Sequence, residues 1–142
     1  MPFTREITPR FNQLDPAGIL FFGEIFTLCS GIYEDFIQSL GFEWKQWFDN
    51  PSSASPVRHA EADYLRPLEG GQVYEVRVEI LSLGTSSFEV GYTIRKLGIT
   101  HCVVRLVHVF IDGQTRTKIP VPAAVREAFT KYGIRPVPEA PS

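Results

Sequence analysis

Between residues 23 and 40 the chain carries apolar side chains at helical spacing, and that segment restricts what the rest can fold into. Ile25, Leu28, Cys29, Ile32, Phe36 and Leu40 recur three and four positions apart, and Phe26, Tyr33 and Ile37 widen the stripe. So broad an apolar face predicts a helix wrapped by other elements rather than one lying on a surface. Glu24 stands in its first turn, where a carboxylate meets the positive end of the helix dipole. Gly41 suits the position just beyond its end.

The wrapping has to come from strands. Tyr74, Val76, Val78 and Ile80 alternate with Glu75, Arg77 and Glu79, the two-residue period of a half-buried strand. The same period returns with Phe88, Val90, Tyr92 and Ile94 set against Glu89, Thr93 and Arg95. Residues 101–111 are apolar on both faces over much of their length, which predicts a central strand. Residues 59–64 read as a strand closed by Arg66-Pro67-Leu68-Glu69-Gly70-Gly71. Residues 3–12 read as a first strand interrupted by Pro9, hence at an edge or bulged. Residues 42–56 fit either a short helix or a packed loop, ending in an exposed run from Pro51 to Pro56. A short helix is expected over 123–132, followed by a loose, proline-bearing tail over 135–142. One helix on one face of a curved antiparallel sheet is an α+β layout, expected here as a single domain over residues 1–142.

Composition narrows the function classes. Fourteen basic and sixteen acidic residues leave a net charge of −2, which points to neither nucleic acid nor an anionic membrane as partner. Cys29 and Cys102 both lie in apolar surroundings and read as buried thiols. No C-x-x-C or H-E-x-x-H spacing occurs, and His101 and His108 stand on opposite faces of one strand, so no metal site is expected. No cofactor is expected either. The start of the chain lacks a basic-then-apolar leader and no apolar run reaches membrane-spanning length, so a cytoplasmic protein is expected.

The chemistry is concentrated ahead of the helix. In Asp15-Pro16-Ala17-Gly18 an acid opens a turn, and Ile19-Leu20-Phe21-Phe22-Gly23 then feeds the helix start. A carboxylate is thereby set near backbone N–H groups that no helical carbonyl satisfies, an arrangement suited to acyl chemistry. Asp15 also has a plainer reading as a turn former. Asp63 and Arg66 read as a surface pair, and the aromatic residues around the helix mainly as core.

Three segments in this order resemble a known family: Asp15-Pro16-Ala17-Gly18-Ile19, Pro56-Val57-Arg58-His59-Ala60, and Asp63-Tyr64-Leu65-Arg66-Pro67-Leu68. They are similar to the hotdog-fold acyl-CoA thioesterases. The D-P-A-G-I run matches the 4-hydroxybenzoyl-CoA branch. Tyr33-Glu34-Asp35, P-x-x-H-A and a D-F-L-R-P-L-like run match the 1,4-dihydroxy-2-naphthoyl-CoA branch.

The resemblance implies a curved five-stranded antiparallel sheet around one long central helix. It also implies a homodimer or homotetramer with active sites at the subunit interface, acting on an acyl-CoA, with an aromatic acyl group favoured because both branches act on aryl-CoA. It assigns Asp15 as the catalytic carboxylate, either attacking the thioester carbonyl or activating a water. Phe22 matches the backbone N–H donor to the oxyanion, with Gly23 beside it in place of a proline. His59 is a candidate for the substrate pocket. Gly84-Thr85-Ser86 replaces a basic loop, which makes Thr85 and Ser86, or Arg95 and Lys96, the candidates for phosphate contacts. The competing readings are a hotdog dehydratase or hydratase, which needs a His beside the carboxylate, and a non-catalytic acyl-CoA sensor.

Overall fold

The computed structural model describes residues 2–136. Five strands form one antiparallel sheet: β1 (Phe3–Ile7), β2 (Val57–Tyr64), β3 (Tyr74–Leu83), β4 (Ser87–Lys96) and β5 (Ile99–Val109). Their order across the sheet is β1-β3-β4-β5-β2, so β1 and β2 are the two edges. Three helices accompany it: α1 (Glu24–Ser39), α2 (Trp44–Phe48) and α3 (Ala123–Tyr132).

The alternating residues of β3 and β4 do what their period requires. Tyr74, Val76, Val78 and Ile80 are buried, as are Phe88, Val90, Tyr92 and Ile94. Ladder register joins Phe3, Val78, Tyr92, Val104 and Ala62 into one row across all five strands on the inner face. α1 lies against that face through Ile25, Cys29, Ile32, Tyr33, Phe36 and Ile37. Fully enclosed side chains such as Ile25 and Phe36 each contribute about 2 kcal/mol of transfer free energy. The opposite side of α1, with Thr27, Ser30, Gly31 and Asp35, is open to solvent within this chain. The sheet therefore backs the sixteen-residue helix without enclosing it.

The helix ends follow from sequence. Gly23 is the N-cap and has no side chain to bond the first turn. At the other end Gly41 takes φ +98° and its N–H bonds the Gln38 carbonyl at 3.0 Å, as a glycine beyond a helix end can. Tyr33-Glu34-Asp35 ties α1 to its surroundings. Trp47 Nε1 donates to the Tyr33 hydroxyl at 3.0 Å, Trp44 Nε1 donates to Glu34 at 2.9 Å, and Asp35 pairs with Arg5 at 3.6 Å. Cys29 and Cys102 are free, buried thiols, as expected.

Several boundaries differ from the expected ones. β1 stops at Ile7, and Pro9 lies beyond it, followed by a 3-10 turn over Phe11–Gln13. The edge position is as expected, but Pro9 terminates the strand instead of interrupting it. β5 is an interior strand, as expected, paired with β4 on one side and with β2 on the other. Its outward Val103, Val107 and Val109 are half-buried, not covered by another layer, so apolar character on both faces overstated its depth. Residues 42–56 resolve into α2 and a connection. Of the tail expected to be loose, residues 137–142 lie outside the described residues.

Far from the start of α1 the core is mostly aromatic. His108 is 4 % exposed and stacks between Tyr33 and Phe88, with ring centroids 4.6 and 4.8 Å away. Its Nδ1 meets the Ser55 carbonyl at 2.9 Å, while Nε2 is buried with no partner among the described residues. Burial holds its pKa below the ordinary 6.5, partly opposed by the Ser55 bond. No helix among the described residues is long and apolar enough to cross a membrane.

Candidate active site

Asp15-Pro16-Ala17-Gly18 folds as a tight turn for reasons visible in each residue. The Gly18 N–H reaches the Asp15 carbonyl at 3.0 Å, and Gly18 holds φ +79°, which favours glycine. Asp15 Oδ1 accepts the N–H groups of Ala17 at 2.8 Å and Ile19 at 3.4 Å, an Asx-type arrangement. Oδ2 has no hydrogen-bond partner among the described residues. The turn former and the available carboxylate oxygen are thus the same side chain.

The turn returns along itself and docks on a second segment. Leu14 bridges Leu20, Ile19 bridges Glu69, and the Leu20 N–H donates to the Leu68 carbonyl at 2.8 Å. Between the two segments lies a cleft of about 530 Å³, walled by Asp15 and residues 19–22 on one side and residues 64–68 on the other. Phe21 and Phe22 are exposed at 48 % and 66 %, and their rings are 4.8 Å apart.

The backbone entering α1 is unusually unsatisfied. The Glu24 N–H donates to the Phe21 carbonyl at 2.9 Å, but the N–H groups of Phe22 and Gly23 have no acceptor among the described residues. Gly23 as N-cap cannot supply one. Such donors carry the positive end of the helix and suit developing negative charge on an oxygen.

Tyr64 closes the other wall. It ends β2 opposite Cys102 on the inner face, and its hydroxyl donates to the Phe22 carbonyl. Burial first, then the neighbouring Cys102 and Cys29, pushes its pKa up to about 12, so the hydroxyl keeps its proton. Arg66 lines the same cleft, and the expected ion pair with Asp63 is not formed among the described residues.

The structure brings Asp15 and Phe22 together, with Gly23 adjoining, but it separates the other expected site residues from them. His59 pairs with Val107 in the ladder, next to Glu61 and its partner Arg105, and so occupies the outer face. It is exposed and bonds Glu61 at 3.2 Å. Tyr64 lies five positions further along the same strand and faces inward. Thr85 and Ser86 form the β3–β4 turn, where their carbonyls accept the N–H groups of Val121 and Phe110 at 2.8 and 2.7 Å. Ser87 pairs with Val109 and Tyr64 with Cys102, so these two ends of the sheet lie roughly 23 Å apart at strand rise. Arg95 and Lys96 stand at the cleft end of β4, where Arg95 bonds the Gly98 carbonyl at 3.2 Å and Lys96 bonds Gln72.

Tyr64 and the cleft-lining role of Arg66 were not anticipated from sequence. The available signal was parity: residues of β2 that share a face with Ala60 and Ala62 point toward α1, and Tyr64 is the next of them.

Comparison with known proteins shows the family of this chain. A family model described as the thioesterase-like superfamily matches residues 9–129. A 1,4-dihydroxy-2-naphthoyl-CoA hydrolase of Nostoc punctiforme is 32% identical over 124 residues, covering 86% of this chain and 82% of that protein. Among solved structures, a 1,4-dihydroxy-2-naphthoyl-CoA thioesterase from Synechocystis superposes with a TM-score of 0.83 at 23% identity. The match covers 92% of this chain and 96% of that one. A gentisyl-coenzyme A thioesterase superposes with a TM-score of 0.79 at 22% identity, over 89% and 99% of the two chains. At such identities the two structures speak to the fold.

Proposed function

We propose, from the premise that this chain belongs to the thioesterase-like superfamily, that it hydrolyses an aromatic acyl-CoA to the free acid and CoA. The observation that carries the reading is the pairing of an unpartnered Asp15 Oδ2 with unsatisfied N–H groups at Phe22 and Gly23, Asp15 and Phe22 lining one cleft. The aromatic preference draws on the 1,4-dihydroxy-2-naphthoyl-CoA relative and is compatible with the exposed rings of Phe21 and Phe22.

In the chemistry we assign, water adds its oxygen to the thioester carbonyl, the C–S bond breaks, and the thiolate of CoA leaves and takes up a proton. Asp15 either activates that water as a base or forms a transient anhydride that water opens. Both routes put negative charge on the carbonyl oxygen, and the N–H groups at the start of α1 receive it. Losing one such donor typically costs about 3 kcal/mol of barrier. A hydratase mechanism would need a histidine at Asp15; within one copy none of the residues lining the cleft is a histidine, so a hydratase would have to draw His59 from a neighbouring copy.

The site is assigned to an assembly of two or four copies. β2 is an edge strand, with Val57 and Tyr64 exposed along it, and the cleft opens at its end. Antiparallel pairing of two β2 edges about a two-fold axis sets the Val57 end of one copy beside the Tyr64 end of the other. The sheet end that carries His59, Thr85 and Ser86 then approaches the cleft of the neighbouring copy, where those residues would serve CoA.

The test is CoA release from a panel of benzoyl-, 4-hydroxybenzoyl-, 1,4-dihydroxy-2-naphthoyl-, acetyl- and palmitoyl-CoA, with Asp15→Asn in parallel. Turnover of an aryl-CoA, lowered at least ~100-fold in the variant, is the expected result. Binding without hydrolysis by the unaltered protein would overturn it in favour of a sensor.

A further inference from the structure

Arg66 is the charged residue of the cleft that the proposed hydrolysis leaves without a task. Among the residues lining the cleft, Asp15 and Arg66 carry the charges, Tyr64 is polar, and the others are apolar. The two charges belong to opposite walls, Asp15 to the turn before α1 and Arg66 to the segment after β2. They do not pair with each other. Asp63 and Glu69 both stand three positions from Arg66 in sequence. Even so, its guanidinium has no ion-pair or hydrogen-bond partner among the described residues. Asp63, the expected one, is in register with Val103 on the outer face of the sheet.

The main chain beneath Arg66 is held at each neighbouring position. The N–H groups of Leu65 and Arg66 both donate to the His101 carbonyl at 2.9 Å. Pro67 follows, which keeps residue 66 out of the helical region, and its carbonyl meets His101 Nδ1 at 3.2 Å. Leu68 is 2 % exposed, and its carbonyl accepts the Leu20 N–H from the facing segment. The backbone is therefore fixed and only the guanidinium is free, so little ordering of the chain is left to be done when a ligand binds.

We infer that Arg66 selects an aromatic acyl group that carries its own carboxylate, held by the guanidinium on one wall while the thioester carbonyl meets Asp15 on the other. In the proposed reaction Asp15 needs its free oxygen, so it is not available to neutralise Arg66. An uncharged acyl group filling an otherwise apolar cleft would cover the cation and give it nothing in exchange for water. A carboxylate is ionised at neutral pH, and its two oxygens match the fork of donors on a guanidinium. The phosphates of CoA fit this place less well. They stand a whole pantetheine arm from the thioester carbon, whereas Arg66 shares one cleft of about 530 Å³ with Asp15. The inference rests on the thioesterase reading above and goes further by naming the substituent and the residue that reads it.

The test compares 4-carboxybenzoyl-CoA with benzoyl-CoA. The unaltered protein is expected to favour the carboxylated ester in kcat/KM on the order of tenfold to a hundredfold, the worth of a hydrogen-bonded charge, chiefly through KM. In Arg66→Gln that preference is expected to vanish with the thermal midpoint unmoved. Arg66→Lys, which keeps the charge without the fork, is expected to recover part of it. A preference that survives in Arg66→Gln would assign the residue to CoA or to the surface and overturn the inference. So would a preference of the unaltered protein for benzoyl- or 4-hydroxybenzoyl-CoA over the carboxylated ester. If the unaltered protein hydrolyses no aryl-CoA, the thioesterase reading fails by itself. Binding of 4-carboxybenzamide against benzamide, followed through the amide NMR shifts of residues 64–68, then decides on Arg66. Tighter binding of the carboxylated amide that Arg66→Gln abolishes would uphold its role, and equal or absent binding would overturn it.

Discussion

Both ends of the sheet are built with aromatic side chains, and they use them in opposite ways. Around α2, Trp47 is 8 % exposed and its ring contacts Phe42 at 5.1 Å, Phe110 at 5.7 Å and Phe129 at 6.2 Å. These are edge or tilted packings, which favour aromatic pairs beyond their burial. The indole N–H is satisfied by Tyr33. At the start of α1, Phe21 and Phe22 touch each other but leave much of their surface in water, above two backbone N–H groups without acceptors. The ring burial and the donor satisfaction that Trp47 combines at the first end are both missing from Phe21, Phe22 and the adjoining N–H groups at the second, among the described residues. On the function we propose, the missing burial and hydrogen bonds are what a bound acyl group would supply, and the contrast then separates the residues that hold the fold from those assigned to the ligand.

The contrast is broken most directly at Trp47. Trp47→Ala is expected to lower stability by about 3–5 kcal/mol, the range for an enclosed aromatic, as read by urea unfolding. Activity per folded molecule should be unchanged. A stable variant with lost turnover would put the aromatic end into the site and remove the distinction. At the other end, Phe22→Ala keeps the backbone donor and deletes only an exposed ring. Stability should stay within ~0.5 kcal/mol. KM for an aryl-CoA should rise roughly fivefold to tenfold, since an aromatic contact is worth about 1 kcal/mol. A loss of stability as large as that at Trp47 would show that the exposed ring is structural after all.

The two ends were also unequally legible in sequence. Alternation in β3 and β4 and the spacing in α1 specify the inner face, because burial repeats at the same period as the side chains do. The turn at Asp15 was readable for the same local reason: Asp, Pro and Gly each fit one turn position. What a single chain's sequence hides is which segments meet. Nothing local sets residues 64–68 against residues 15–22, so Tyr64 and Arg66 looked like a strand end and a surface ion pair. His59 lies apart from Asp15 within one chain for a different reason. It and Tyr64 are an odd number of positions apart, so on one regular strand they face opposite sides, a count that sequence does supply. The register shift between Val57 and His59 is invisible without the ladder. The outer face of β5 looked covered because half-covered valines resemble covered ones in composition.

The smallest expected effect sharpens the contrast from the aromatic end, through His108. Its ring is stacked between Tyr33 and Phe88, its Nδ1 is tied to the Ser55 carbonyl, and its Nε2 has no partner among the described residues. Protonation would place a charge between two rings in a site only 4 % exposed, which is why its pKa lies below 6.5 in the folded protein. As pH falls below 6.5, the unfolded chain takes up a proton that the folded chain does not. Stability from this group is therefore complete above 6.5 and declines as pH drops toward the folded value, by at most about 1.4 kcal/mol per pH unit. Unfolding midpoints measured from pH 7.5 downward should show this slope in the unaltered protein. In His108→Phe the stack survives without the titrating group, and that part of the slope should vanish. An identical slope in both would assign the acid sensitivity to carboxylates elsewhere and leave the aromatic end indifferent to pH.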